Sequence, residues 1–147
     1  MDSELLSQFL DACQDGKRIF ELLPKLPPKM KPRHIRIIRC IHIIHEEKGI
    51  VSISDVAKAM KSTMPSITKL VNELCDMKAV LKTRNPKDKR VYTLVLTDWG
   101  EKCYDKYIRQ FHFWLKKEME DIPEEDIRGA VSAIGKVREI LEKRKKK

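Results

Sequence analysis

The densest chemistry in this chain lies between Thr63 and Arg90, where short polar side chains and cations are spaced for a polyanion. Thr63, Pro65, Ser66, Thr68, Lys69 and Asn72 fall on one side of a helical period, opposite the apolar Ile67, Leu70, Val71 and Leu74. A helix fits the DNA major groove, and short outward polar residues on it reach base edges. Downstream, Arg84-Asn-Pro-Lys-Asp-Lys-Arg90 carries four positive charges in seven residues. Arg84, Lys87 and Lys89 suit phosphates. Arg90 suits a narrow minor groove, whose negative potential attracts arginine. Asp88 is the single acid in this stretch. The expectation is that it pairs with Arg84 and shapes the loop, leaving Arg90 for DNA; an exposed pair of this kind contributes orientation more than stability.

Other chemistries find less support. There is no Gly-rich phosphate loop or nucleophile elbow, so the reading is not an enzyme. His42 and His45 are three residues apart and share a helical face, yet no carboxylate or cysteine completes a recognisable ligand spacing; the expectation is no metal and no cofactor. The cysteines, Cys13, Cys40, Cys75 and Cys103, each fall on a separate predicted helix and form no CxxC pair. Free thiols packed as small hydrophobes are expected.

The elements that must position the basic stretch follow from periodicity. Residues 4–23 read as an amphipathic helix ended by the Pro-rich connector that begins at Pro24. Residues 33–48 form a second helix with isoleucines around much of its circumference, a central core element stopped at Gly49. Val51–Ile53 is a short candidate strand. Ser54 is the expected cap of a helix over 55–60, and it joins the DNA-facing set. Thr63 caps the next helix, with Pro65 in its first turn. Strands over 80–84 and 90–96 flank a loop at 85–89. Thr97 then caps a long helix to about Glu120, and a last helix follows Pro123. The fold class is mainly α with a small β-hairpin wing: a winged helix-turn-helix plus a helical dimerisation region.

Length and charge agree with this reading. The chain has 147 residues, enough for one domain with a core, and a formal charge of +9, which suits a polyanionic partner. No apolar run approaches the roughly 20 residues of a membrane span, and no signal-peptide pattern opens the chain, so a cytoplasmic protein without a membrane partner is expected. The end helices carry broad apolar faces, with Phe9, Phe111, Phe113, Trp114 and Leu115 among them. Too little chain remains to cover these faces, which points to a homodimer.

The stretch MKSTMPSITKLVNELCDMKAVLKTRNPKDKRVYTLVLTDWGEK resembles the recognition helix, wing and following helix of the MarR family of regulators. The family's D-x-R stands here as Asp88-Lys89-Arg90, and its Leu-Thr-x-x-Gly as Leu96-Thr97-Asp98-Trp99-Gly100. Where the family usually has glycine after the recognition helix, this chain has Lys78. The resemblance implies one MarR-like domain over 1–147. Residues 33–97 would bind double-stranded DNA, and 1–32 with 98–147 would interlock two copies. Two recognition helices would then lie about 34 Å apart on a roughly palindromic operator. It further implies a ligand-responsive repressor with a small aromatic effector, for which Ile38, His42, Trp99 and Tyr104 are candidates. Peroxide sensors of the family use a first-helix cysteine near the place of Cys13, with tyrosines of the next helix, but no Tyr occurs between Arg33 and Lys48. A thiol- or metal-responsive sensor and a winged-helix protein-interaction module remain as alternatives.

Overall fold

The structure is a computed structural model that describes residues 1–146. Helix α1 (Ser3–Leu22) starts at Asp2, whose side chain accepts the backbone N–H of Leu5 at 2.8 Å, and it buries none of its residues in the single chain. Helix α2 (Pro32–Lys48) opens on proline, which has no N–H to lose there. It carries Ile37, Ile38, Cys40 and Ile41 into the core, while Ile43 is exposed; its apolar arc is therefore narrower than the isoleucine count predicts. Gly49 stops it at φ +79°, a left-handed conformation that favours glycine.

The segment predicted as a strand at 51–53 makes only a single bridge, Ser52 to Thr93, and helix α3 (Ile53–Met60) begins inside it. The cap is Ser52, not Ser54. Ser52 Oγ accepts the Asp55 N–H at 3.1 Å, and Asp55 reaches back to accept the Ser52 N–H at 2.9 Å. The reciprocal pair needs an acid three residues after the cap, which only Ser52 has. Burial pushes the Asp55 carboxyl up, but hydrogen bonds from Lys48 and Ser52 outweigh it and hold the group below the usual carboxylate range.

Lys61, at φ +50°, turns the chain into helix α4 (Met64–Asp76), capped by Thr63. Ile67, Leu70, Val71 and Leu74 are all buried, as their spacing predicts. Lys78 adopts φ +62°, the left-handed conformation usual for glycine, at a cost of about 1 kcal/mol. Strands β1 (Val80–Arg84) and β2 (Tyr92–Leu96) form an antiparallel hairpin with Val80 opposite Leu96 and Arg84 opposite Tyr92. The second strand starts at Tyr92 rather than Arg90, because the turn around Asp88 uses Arg90 and Val91.

Thr97 caps helix α5 (Asp98–Tyr104) and also donates to Lys78 O at 2.7 Å, tying this helix to the turn after α4. Gly100 packs so closely there that a Cβ would lie 2.2 Å from Ala79 O, which accounts for glycine at this point. The long helix predicted from Asp98 runs as α5, a π-helical segment (Asp105–Gln110) and α6 (Phe111–Glu118). Helix α7 (Glu124–Lys145) follows Pro123. The chain divides into two compact units, Met1–Tyr107 and Ile108–Lys147. The first holds the core, built on α2, α3, α4 and the hairpin. In the second, α6 and α7 bury no residue, and Phe113, Trp114, Val131, Ile134 and Ile140 are exposed. Among the described residues no helix is long and apolar enough to cross a membrane.

Candidate nucleic-acid interface

Helix α4 is oriented by its buried side. With Ile67, Val71 and Leu74 fully enclosed, the opposite side must face outward, and Pro65, Lys69 and Asn72 are exposed there. Ser66 and Thr68 are half-buried beside them. Thr63 Oγ1 accepts the Ser66 N–H at 3.3 Å, so this hydroxyl serves the helix terminus first. Pro65, Thr68, Lys69 and Asn72 line one shallow open concavity together with Met64, Glu73 and Asp76. The sequence reading missed those last three. Ser54 is exposed on α3, within its first turn.

The wing tip is built from local hydrogen bonds. Asn85 Oδ1 accepts the Lys87 N–H at 2.9 Å, and Asn85 O accepts the Asp88 N–H at 3.2 Å. Asp88 does not pair with Arg84. Its Oδ1 accepts the Arg90 backbone N–H at 3.0 Å and Arg90 Nε at 3.2 Å. The cause is proximity: an aspartate readily bonds the backbone two residues on, and this brings the arginine side chain along. Arg84, fixed opposite Tyr92 by the strand register, instead donates from Nε to the Tyr92 hydroxyl at 3.2 Å. The Arg90 side chain and backbone bonds hold the Asp88 carboxyl below the usual carboxylate range. Arg90 nevertheless keeps its side chain 91% exposed, so the pair aims the guanidinium without hiding it. Lys87 and Lys89 are exposed on the same loop.

Lys82 of β1 was also missed. Its Nζ donates to Asn72 Oδ1 at 3.0 Å and lies 4.8 Å from the Tyr92 ring centroid, so strand and helix are joined at the outer face of α4. A lone lysine in an alternating strand carries no sequence signal for such a contact.

The effector candidates have different surroundings. Ile38 is fully buried in the core. His42 stacks on Tyr104 with centroids 3.7 Å apart, and its Nδ1 lies 3.2 Å from Glu101 Oε2. Trp99 lines a second concavity with Pro27, Pro28, Lys29, Glu73, Asp76 and Met77. His34 is almost wholly buried; its Nδ1 accepts the Lys31 N–H at 3.0 Å, and its Nε2 lies 3.3 Å from Glu73 Oε2. Among the described residues, no group of three or more His, Cys, Asp or Glu side chains is arranged to hold a metal ion. All four cysteines are free thiols; burial pushes those of Cys40, Cys75 and Cys103 up, and Cys13 is exposed on α1.

Residues 35–92 match the sequence profile of the MarR family. No curated protein sequence matches the chain significantly. Among solved structures, the chain is similar to Streptococcus pneumoniae FabT in complex with DNA (19% identity, TM-score 0.67), covering 97% of this chain and 99% of that one. It is also similar to the PcaV transcriptional regulator of Streptomyces coelicolor with its natural ligand (14% identity, TM-score 0.65, 95% and 93% covered). A MarR-like transcriptional regulator of Thermotoga maritima matches at 23% identity and a TM-score of 0.55, covering 97% and 98%. At these identities the likeness concerns the fold. The match to the MarR family covers residues 35–92, within a chain that has the fold of these solved transcriptional regulators.

Proposed function

We propose that this protein is a sequence-specific DNA-binding transcriptional regulator, a cytoplasmic homodimer that represses by occupying a roughly palindromic operator. The observation that carries this reading is the pairing of two surfaces in sequence order. One is a rigidly seated helix whose outer side presents Thr63, Pro65, Ser66, Thr68, Lys69 and Asn72; the other is a wing that presents Lys87, Lys89 and an aimed Arg90. In this reading the helix reads bases in the major groove, and the wing tip meets phosphates and the minor groove. Residues 33–97 bind DNA; 1–32 and 98–147 join the two copies. Dimerisation is supported by α1 and by α6 with α7, helices that bury nothing in one chain and expose Leu5, Leu10, Phe20, Phe113, Trp114 and Val131. The solved FabT in complex with DNA and PcaV with its natural ligand support the DNA and effector parts. Of the effector candidates, Trp99 lines a concavity.

The test is binding to a pool of genomic duplex fragments across a salt series. Affinity should fall steeply with salt, and Arg90→Ala should weaken binding while leaving the fold intact. A flat salt dependence, or an Arg90→Ala variant that binds as tightly as the parent, contradicts the reading. Sedimentation at micromolar concentration should show a dimer; a clean monomer removes that part.

A further inference from the structure

Lys82 and Asn72 belong to different elements and are joined by one contact whose chemistry leaves no choice of orientation. An ammonium has three donors and no acceptor, so the amide it meets must present oxygen. Asn72 Oδ1 is that oxygen, 3.0 Å from Lys82 Nζ. The amide NH2 of Asn72 therefore turns away from β1. Asn72 is exposed on the outer face of α4, in the same concavity as Pro65, Thr68 and Lys69.

The lysine is itself held. In the hairpin register Lys82 stands opposite the buried Leu94, and Arg84 stands opposite Tyr92, so all four side chains share the face toward the core. Lys82 Nζ lies over the Tyr92 ring, and Arg84 donates to the Tyr92 hydroxyl. A chain of contacts thus runs Arg84–Tyr92–Lys82–Asn72, from the base of the wing to the outer face of the helix.

We propose that Lys82 is a positioning residue for base recognition, holding Asn72 so that it offers DNA its amide N–H donors in preference to its oxygen. This rests on the DNA-binding reading above. An unrestrained asparagine pairs with adenine by donating to N7 and accepting from the N6 amino group. The Lys82 ammonium takes one of the Asn72 oxygen's two lone pairs and sets a positive charge beside the other, so an N6–H donor approaching that oxygen is disfavoured. Asn72 is matched instead to an edge that shows acceptors in the major groove, guanine N7 and O6 or thymine O4. Lys82 thereby disfavours adenine without touching a base.

The experiment is selection of duplexes from a randomised library by the full-length protein, by Asn72→Ala and by Lys82→Met. The methionine keeps an aliphatic stem beside Tyr92 and removes the donor. Circular dichroism and thermal melting check that each variant folds. The parent should enrich guanine or thymine at one position of each half-site. Asn72→Ala should lose that preference by roughly fivefold to a hundredfold, the range of a good base contact. Lys82→Met should move the preference at that same position toward adenine and leave the flanking positions unchanged. If Lys82→Met weakens all sequences evenly and makes the salt dependence shallower, Lys82 is a phosphate contact. The inference then fails while DNA binding stands. Adenine at the Asn72-dependent position in the parent, or an Asn72→Ala profile identical to the parent's, overturns it equally. A parent that enriches no sequence overturns both readings together.

Discussion

Helix α4 and the wing tip are both exposed and both rich in polar groups, yet they are held in opposite ways. The helix is seated through Ile67, Leu70, Val71 and Leu74, and its outer side is a by-product of what its inner side buries. The loop from Asn85 to Val91 buries none of its residues and keeps its shape through Asn85 and Asp88 hydrogen bonds to its own backbone. Reading a base edge requires placement to a few tenths of an ångström, which core packing supplies. Meeting phosphates or a groove requires charge in about the right place, which a locally bonded loop supplies.

The contrast can be broken most strongly from inside the helix. Leu74→Ala should cost about 3 kcal/mol of stability, because a fully buried leucine leaves a cavity. Chemical denaturation should show this, whereas truncating the exposed Lys87 should shift the midpoint hardly at all. A Leu74→Ala variant as stable as the parent would mean α4 is not seated as described. Gly100→Ala strikes the joint between helix and hairpin. Its new Cβ meets the Ala79 carbonyl, which also accepts the Thr97 N–H at 3.0 Å and so has little room to move. A loss of about 2 kcal/mol is expected, read as a fall in Tm. Thr63→Ala removes the cap of α4 and should cost about 1 kcal/mol. Thr63→Ser should recover most of it, and failure to do so would separate the hydroxyl from the capping role.

The smallest effect belongs to the wing. Because the folded Asp88 carboxyl titrates below its ordinary value of about 3.9, the Arg90 contact is complete above that pH and is lost as pH falls through the lower folded value. Between pH 5 and 8 the wing should therefore not respond to pH. Carboxyl carbon shifts should show a depressed Asp88 midpoint that moves upward in Arg90→Ala. An unmoved midpoint would deny the pair.

Much of this molecule was legible in advance because its signals are local. The apolar spacing of α4, the Thr63 cap, the Gly49 stop and the position of the hairpin all depend on neighbours within four or five residues. The errors mark where local signals compete. Ser54 reads as the cap because Ser52 falls in the apparent strand, and the reciprocal bond with Asp55 gives the cap to Ser52. Two arginines flank Asp88, and loop geometry selected Arg90 while strand register gave Arg84 to Tyr92. The π-helical turn at Asp105–Gln110 has no counterpart in the apolar periodicity read from the chain.

By itself, the sequence determined that a helix with one apolar and one short-polar side precedes a basic hairpin, since burial and charge are properties of the residue types. The tertiary structure alone decided which polar groups meet. Lys82 finds Asn72, His34 lies beside Glu73, and Gly100 admits the Ala79 carbonyl because separate elements are pressed together by the core between them. Hydrogen bonds and close approaches depend on distances of tenths of an ångström between those elements. The order of residues along the chain does not encode such distances.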